Sequence, residues 1–300
     1  MRTHRILPFL LGSLGLVSGL ASTASAQSSD GYAVVYDRAR GELSVGAQAP
    51  TRAAMVSTIR SGTPNAISAI LEYGERVECH ECVALLEAKL LDDPSADVRR
   101  MAAWWLRRRP FAVGAVMDRM VTVLAGDPSE VRRGRAADAI GELLDPNGVD
   151  PLVTAASTDA SSIVRASSVR ALGRLNHPGA LSVIAAALED SDVEVRRAAL
   201  SVVLRVNFFS DQAALIGCLA DSAADVRKRA ALILGEMRAS SAGSPLAGLL
   251  LGDSDRDVRQ AAAWALGRIG GGVAVDALTQ ASGSERDSLV RDAIRIARQM

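Results

Sequence analysis

Two cysteines separated by two residues are the clearest candidates for chemistry in this chain. They occur in Val77-Glu78-Cys79-His80-Glu81-Cys82, where a helix is expected to begin. Such a pair can form a small disulfide, contact a metal, or act in redox chemistry with a thiol pKa lowered by the helix N-terminus. We predict a structural disulfide between Cys79 and Cys82. A redox-active pair and a metal or cofactor contact are the alternatives.

Three familiar uses of this spacing each lack a required feature. Covalent haem attachment needs Cys-x-x-Cys-His, and Val83 stands at the histidine position. A zinc site needs two more ligands, and the candidates Cys218 and His177 lie far along the chain. A thioredoxin-like role lacks alternating strands and helices around the pair. We therefore predict no metal and no cofactor.

The remaining nucleophiles and bases do not form a catalytic set. Cys218 lies on an apolar helix face, which is typical of a buried free thiol. His177 precedes Pro178 in an expected turn, with no acid or nucleophile beside it. Neither a Ser/His/Asp arrangement nor paired catalytic carboxylates nor a phosphate-binding glycine loop occurs at usable spacing. The sequence predicts no catalytic residues and a protein that is not an enzyme.

Trp104-Trp105-Leu106-Arg107-Arg108-Arg109 is the most unusual surface candidate. Adjacent helical residues point about 100° apart, so one tryptophan is expected to face inward and the other outward. A surface patch of Trp104, Trp105, Arg107, Arg108 and Arg109 would bind carboxylates or anionic peptides. We favour the alternative, in which these bulky residues seal the first full repeat against a degenerate N-terminal layer.

The elements that position these residues come from a repeat. The dipeptide Val-Arg occurs at seven evenly spaced positions, with successive spacings of 33, 33, 31, 31, 32 and 32 residues. The copies begin at Val98, Val131, Val164, Val195, Val226, Val258 and Val290. Such even spacing is the signature of a repeat architecture.

Each copy reads as a helix, a short turn and a return helix. From Val258 the small and apolar residues form one stripe, Gly270 to Gly272 end the helix, and residues 273–278 begin the return. One such pair cannot bury its own apolar stripe, so the pairs must stack. The predicted fold class is all-α, an α-solenoid of stacked antiparallel helix pairs. The second helix of each pair, the return helix, is expected to line the concave face.

These copies resemble the short HEAT-like repeats named after the phycobilisome lyases. The resemblance lies in Asp253-Ser254-Asp255-Arg256-Asp257-Val258-Arg259, followed by Ala262 and Ala265-Leu266-Gly267-Arg268-Ile269. It implies that the repeated arginines form a structural ladder of ion pairs with acidic residues of adjacent layers. A track for a polyanion is the alternative. The arginines concerned are Arg99, Arg132, Arg165, Arg196, Arg227, Arg259 and Arg291.

Two enzyme families with related repeats fit poorly. Deoxyhypusine hydroxylase-like proteins bind iron through several His-Glu pairs, whereas this chain has the single pair His80-Glu81. Bilin lyases share the repeat type, but an exported chain with few aromatic residues is a poor candidate for handling phycobiliproteins. The resemblance therefore implies the fold rather than either activity.

The first residues predict export. Arg2, His4 and Arg5 precede an apolar run that is too short to span a bilayer, and Ala24-Ser25-Ala26 is a typical cleavage site. We predict a signal peptide at 1–26, and a linker or small β-hairpin arm at 27–50. A degenerate helical repeat is expected at 51–91, and a repeat array with a C-terminal half repeat at 92–300. The mature chain would be periplasmic or secreted, with no membrane span.

Composition narrows the partner class. The chain carries 34 basic and 34 acidic side chains and only 3% aromatic residues, which disfavours nucleic acid, carbohydrate and most cofactor pockets. We predict a non-enzymatic scaffold in the cell envelope that binds a protein or peptide on the concave face. The alternative is an accessory protein of a redox or haem system that uses Cys79 and Cys82.

Overall fold

The computed structural model describes residues 49–300 fully, together with the backbone of two strands that precede them. Strands β1 (Tyr32–Asp37) and β2 (Glu42–Gln48) pair antiparallel, with Val34 opposite Val45. The expected signal peptide at 1–26 lies outside the described residues.

Sixteen α-helices follow the strands, joined by short turns. Their bounds are α1 Arg52–Ser61, α2 Pro64–Tyr73, α3 His80–Asp92, α4 Ala96–Leu106, α5 Val113–Gly126, α6 Glu130–Leu143, α7 Val149–Thr158, α8 Ser162–Leu175, α9 Leu181–Ala187, α10 Val193–Val202, α11 Gln212–Gly217, α12 Ala224–Glu236, α13 Gly243–Gly252, α14 Arg256–Ile269, α15 Gly271–Ser284 and α16 Ser288–Ala297. Two alternating sets make up the array. We call α4, α6, α8, α10, α12, α14 and α16 the Val-Arg helices, and α5, α7, α9, α11, α13 and α15 the return helices.

Local sequence fixes where the Val-Arg helices begin and end. Hydroxyl or carboxylate side chains accept hydrogen bonds from the first free backbone N–H groups, as Ser129 does from Arg132 N and Asp255 from Val258 N. Left-handed residues such as Asn176 (φ 49°) stop the helix and turn the chain into the return helix. Such a Val-Arg helix is therefore short, with a capping residue at its start and a turn residue at its end.

Stacking of the pairs produces one continuous core from α1 to α16. The valine of each copy is fully buried in six of the seven cases: Val98, Val164, Val195, Val226, Val258 and Val290. Neighbouring layers contact one another along the array, and the predicted all-α solenoid is confirmed.

The Val-Arg helices pack against one another more closely than the return helices do. Glycines and alanines at their contacts allow this approach: a Cβ placed on Gly141 of α6 would lie 2.8 Å from Ala171 Cα of α8. In a curved rod the more tightly spaced stack lies on the inside, so this packing favours the Val-Arg helices as the inner side. The expectation that return helices line the concave face stays a prediction, although the small residues lie on the other set.

Replacing Gly141 with alanine is expected to destabilise the array by about 1–2 kcal/mol, because the backbone of α8 must move. This loss exceeds the gain of up to about 1 kcal/mol that alanine brings to a helix interior. Gly248 of α13 is the matched control, since its added Cβ meets nothing within 4 Å. Urea unfolding should therefore show opposite signs for Gly141→Ala and Gly248→Ala. Equal signs would contradict the close approach of α6 and α8.

Candidate protein-binding surface

An arginine–carboxylate ladder joins successive layers at the start of the Val-Arg helices. Arg165 donates from Nε and Nη2 to the Asp190 carboxylate of the next layer, at 2.8 Å each, and from Nη1 to the Asp159 carbonyl at 2.9 Å. The same geometry recurs in Arg133–Asp159, Arg196–Asp221, Arg227–Asp253 and Arg259–Glu285. Forked pairs of this kind are strong and specific in direction.

Each ladder carboxylate also orders its own turn. Asp190 Oδ1 accepts a hydrogen bond from the Asp192 backbone N–H at 2.8 Å, and its side chain is only 13% exposed. The arginine forks are thus already filled by neighbouring acids. These five pairs therefore offer no free positive charge along which a polyanion could bind.

The prediction of Arg132 as a ladder residue was wrong, because Arg133 occupies the ladder position of the second copy. Val131, the valine of that copy, is 45% exposed, so the dipeptide stands one residue out of register. Arg132 instead pairs with Asp127 Oδ2 at 2.9 Å and with Asp92. The signal was present in the sequence: every ladder arginine follows an acidic residue by six positions, and Asp127 is six residues before Arg133.

The outermost arginines of the series lack a forked partner. Arg99 Nη1 donates to the Asp93 and Pro94 carbonyls, and Arg291 Nη1 donates to the Arg286 carbonyl. Within residues 49–300 neither arginine pairs with a carboxylate. The predicted ladder of seven is thus five complete rungs with two partial ends.

Hydrogen bonds from the arginines hold the pKa of the Asp159, Asp190, Asp253 and Glu285 carboxyls below their usual values. A depressed folded-state pKa means that these groups stabilise the fold when ionised. The contribution is present above the ordinary values of 3.8 for Asp and 4.5 for Glu, and is lost as the pH falls through the lower folded-state values.

We therefore expect the free energy of unfolding to decline steeply as the pH falls below about 4, and to be nearly flat from there to neutrality. Urea unfolding across a pH series measures this. The Arg165→Gln variant should show a shallower acid decline, because Asp190 loses the bond that lowers its pKa. An unchanged acid profile in that variant would contradict the role of the ladder.

Trp105 and Arg109 form a buried clamp rather than part of a surface patch. Trp105 is fully buried, its Nε1 donates to the Gly74 carbonyl at 3.2 Å, and the Arg109 guanidinium stacks on its ring at 3.7 Å. Arg109 is 6% exposed and donates to the carbonyls of Gly74, Glu75 and Val77. This clamp fastens the turn between α2 and α3 to the end of α4.

The other three residues of that sequence run divide differently. Trp104 is half-buried, with the Arg108 guanidinium 4.5 Å above its ring, and Arg108 pairs with Glu75 at 3.3 Å. Arg107 donates to the Glu142 carbonyl at 3.2 Å and so ties α4 to α6. Of the residues in this run, Trp104 and Arg108 therefore contribute most to the surface of the array.

Cys79 and Cys82 are joined by a disulfide at the start of α3. Both residues are fully buried, so no sulfur is open to attack by a partner thiol. Beside them the ring of His80 packs against Phe111 at 4.4 Å between ring centroids. The geometry suits a local staple at the N-terminal end of the array.

Replacing both cysteines with serine is expected to lower the free energy of unfolding by about 2 kcal/mol, the value for closing so short a loop. Binding of a partner should be unchanged, because both sulfurs are buried. Thermal unfolding and a binding titration on the same variant measure the two effects. Lost thiol exchange at unchanged stability would instead support a redox role.

The remaining candidates have structural surroundings. Burial raises the pKa of the Cys218 thiol to about 11, and its Sγ lies 3.5 Å from the Leu188 carbonyl oxygen. His177 Nδ1 accepts from the Gly179 backbone N–H in the turn before α9. Within residues 49–300 no three His, Cys, Asp or Glu side chains are grouped to hold a metal ion. No described helix is long and apolar enough to cross a bilayer.

A groove of about 370 Å³ crosses three successive Val-Arg helices, α12, α14 and α16. Its floor is apolar, and Leu289 and Ile296 are 49% and 48% exposed. A charged rim surrounds it, in which Lys228 Nζ pairs with Asp257 at 2.9 Å. The lining residues are Lys228, Leu232, Asp257, Gln260, Ala261, Trp264, Leu289, Asp292, Ala293 and Ile296.

Trp264, at the centre of this groove, was missed by the sequence analysis. It stands five residues after the ladder residue Arg259, the same offset that separates Trp104 from Arg99. In both helices an arginine one turn later covers the ring, with Arg268 5.7 Å from the Trp264 centroid. The five-residue spacing from the ladder arginine could have identified Trp264, because this position lies toward the exposed side of a Val-Arg helix.

Comparison with known proteins decides the family. The family model described as HEAT repeats matches residues 83–167, 117–205 and 212–297, well over half of the chain. The chain belongs to the HEAT repeat family. HEAT solenoids are commonly protein-interaction scaffolds, because the stacked helices present a long continuous surface. Comparison with curated protein sequences finds no match.

Solved structures of HEAT-like proteins share the architecture. YibA of Escherichia coli is 15% identical, with a TM-score of 0.55 over 84% of this chain and 93% of that one. Yeast importin-β (Kap95p) is 14% identical, with a TM-score of 0.58 over 82% of this chain and 38% of that one. Human deoxyhypusine hydroxylase, an enzyme, is 22% identical with a TM-score of 0.36 over 83% and 94%. At these identities the likeness to YibA and to importin-β shows the fold alone.

Proposed function

We propose that this HEAT repeat protein is a non-enzymatic scaffold that binds an extended protein segment along the exposed side of its Val-Arg helices. The observation that carries the proposal is the groove across α12, α14 and α16, with half-exposed Leu289 and Ile296 around Trp264. Half-exposed apolar side chains in a concave, polar-rimmed groove are typical of a protein-binding site.

We propose that the protein has no enzymatic activity, because its reactive side chains are buried or hydrogen-bonded within the fold. Cys218 and the Cys79–Cys82 disulfide are buried, and His177 accepts a backbone hydrogen bond in its turn. We further propose that the repeats are of the short phycobilisome-lyase type, on their period of 31 to 33 residues, without bilin lyase activity.

The proposed location is the cell envelope, as a periplasmic or secreted protein cleaved after Ala26. The basic and apolar pattern of the first residues supports it, as does the Cys79–Cys82 disulfide, which suits an oxidising compartment. Cell fractionation and N-terminal sequencing test this point. A mature chain that begins at Gln27 in the envelope fraction supports the proposal, and an uncleaved cytoplasmic chain refutes it.

The alternative role in a redox or haem system requires working thiols at Cys79 and Cys82. Their complete burial favours the structural staple, and no observation at the pair favours thiol transfer. We therefore keep the scaffold as the proposed function.

The decisive experiment is an affinity capture from the envelope fraction with the chain from Gln27 and with two variants. Ile296→Glu places a charge in the groove and should abolish recovery of a stoichiometric protein partner. Phe208→Glu is the matched control, because Phe208 is 82% exposed on a turn outside the groove. Equal recovery by wild type and Ile296→Glu, or recovery of no protein, would refute binding at the groove.

A further inference from the structure

Four half-buried arginines at one end of the array lack a carboxylate partner among the described residues 49–300. Among residues 49–300, the half-buried arginines of the other layers all pair with an acid, as the five ladder rungs and Arg268–Glu236 show. The exceptions are Arg99, Arg107, Arg135 and Arg170, which lie on α4, α6 and α8 or directly after α4. A half-buried charge with no carboxylate at ion-pair distance is costly, so their clustering calls for an explanation.

Three of these arginines, one on each of α4, α6 and α8, are held in place but keep free donors. Arg99 is bound to the Asp93 and Pro94 carbonyls, Arg135 Nη1 to the Leu91 carbonyl at 2.7 Å, and Arg170 Nη2 to Ser167 Oγ at 2.9 Å. A guanidinium has five N–H donors, so each retains donors for a ligand. We call Arg99, Arg135 and Arg170 the arginine patch.

The shifted register of the second copy leaves Arg99 without a forked carboxylate partner among residues 49–300. Asp127 is the acid that would accept the fork of Arg99, by analogy with the other rungs. It accepts instead from Arg132 Nε at 2.9 Å. Burial and the positive charge of Arg135 then lower the pKa of the Arg99 guanidinium. The interruption of the ladder therefore accounts for the free donors of Arg99.

Asp138 lies among the arginines of the patch. Burial raises its pKa, although the charges of Arg170, Arg174 and Arg99 oppose the rise. Arg174 approaches both acids of α6, with Nη1 3.6 Å from Asp138 Oδ1 and Nε 3.2 Å from Glu142 Oε1. Mixed signs of this kind disfavour a nucleic-acid backbone, which needs uninterrupted positive charge.

We propose that the arginine patch binds an acidic segment of a protein partner through its carboxylates, one on each of three successive Val-Arg helices. The proposal rests on the proposed scaffold function and specifies the chemistry of the partner. Neighbouring helices are about 8–10 Å apart, and an extended peptide rises about 3.3 Å per residue. The fitting segment therefore carries an acidic residue at about every third position.

The test uses a fluorescent peptide with glutamate at every third position, and the same peptide with glutamine instead. Anisotropy should show binding of the glutamate peptide alone, weakening as salt increases. Arg135→Gln and Arg170→Gln should each weaken it about tenfold, and Asp138→Asn should strengthen it. Arg229→Gln is the matched control, because Arg229 stands at the same repeat position as Arg135 but is exposed. It should leave binding unchanged.

Several results would overturn the proposal: equal binding of the glutamate and glutamine peptides, undiminished binding by Arg135→Gln and Arg170→Gln, or preferred binding of a single-stranded oligonucleotide. Circular dichroism confirms that each variant is folded. If Arg135→Gln is unstable, Arg170→Gln still tests the proposal, because the one hydrogen bond it loses is to Ser167. Failure here would leave the groove intact as a site, since Ile296→Glu tests the scaffold separately.

Discussion

Replacing Trp105 with alanine is expected to lower the free energy of unfolding by about 3–5 kcal/mol, the range for deleting a large buried aromatic side chain. The indole is fully buried, bonded to the Gly74 carbonyl and covered by Arg109. Its removal leaves a cavity and frees the turn between α2 and α3. Because solenoid layers depend on their neighbours, we expect α1 to α3 to separate first. Hydrogen exchange should show those helices losing protection before the rest.

The adjacent Trp104 provides the control for this prediction. It is half-buried, and its cover is Arg108, whose guanidinium pairs with exposed Glu75. Trp104→Ala should therefore cost about 1–2 kcal/mol, without early loss of α1 to α3. Urea unfolding by circular dichroism compares the two. Equal losses would mean that the clamp has no special role in holding the N-terminal layer.

Replacing Arg196 with glutamine is expected to destabilise the array by about 2–3 kcal/mol, because the Asp221 carboxylate is left half-satisfied. The side chains of Arg196 and Asp221 are 13% and 6% exposed, so water replaces the lost bonds poorly. The variant also frees the Asp190 and Ser191 carbonyls, which accept from Arg196 Nη1. Both losses fall at the centre of the ladder.

Arg197, the next residue, is the matched control for Arg196. It also makes a forked pair, with Asp225, but the two side chains are 41% and 56% exposed. Exposed pairs contribute little, so Arg197→Gln should have a much smaller effect. A double-mutant cycle of Arg196→Gln with Asp221→Asn isolates the pair itself. If the two arginine variants unfold alike, burial of the ladder does not determine its contribution.

The ladder shows how far the sequence analysis reached. The period of the repeats identified six of the seven arginine positions, since Val-Arg and its preceding acid recur with the helix. It misassigned Arg132, because the dipeptide was followed rather than the six-residue spacing from Asp127 to Arg133. Whether an arginine forms a complete rung depends on whether an acid of the next layer lies within hydrogen-bond distance. That pairing joins residues 25 or 26 positions apart.

The sequence by itself determined the all-α solenoid, because helical periodicity and an even repeat length are local patterns that stacking must satisfy. It also predicted that Trp104 and Trp105 would part, since adjacent helical residues face different ways. Only the tertiary structure decided which tryptophan is buried, that the Val-Arg helices pack closest, and that Trp264 lies in a groove. It alone showed Arg99, Arg135 and Arg170 without carboxylate partners in the part of the chain that the structure describes. These outcomes depend on how one helix is placed and rotated against the next, a relation between distant residues that no local pattern encodes.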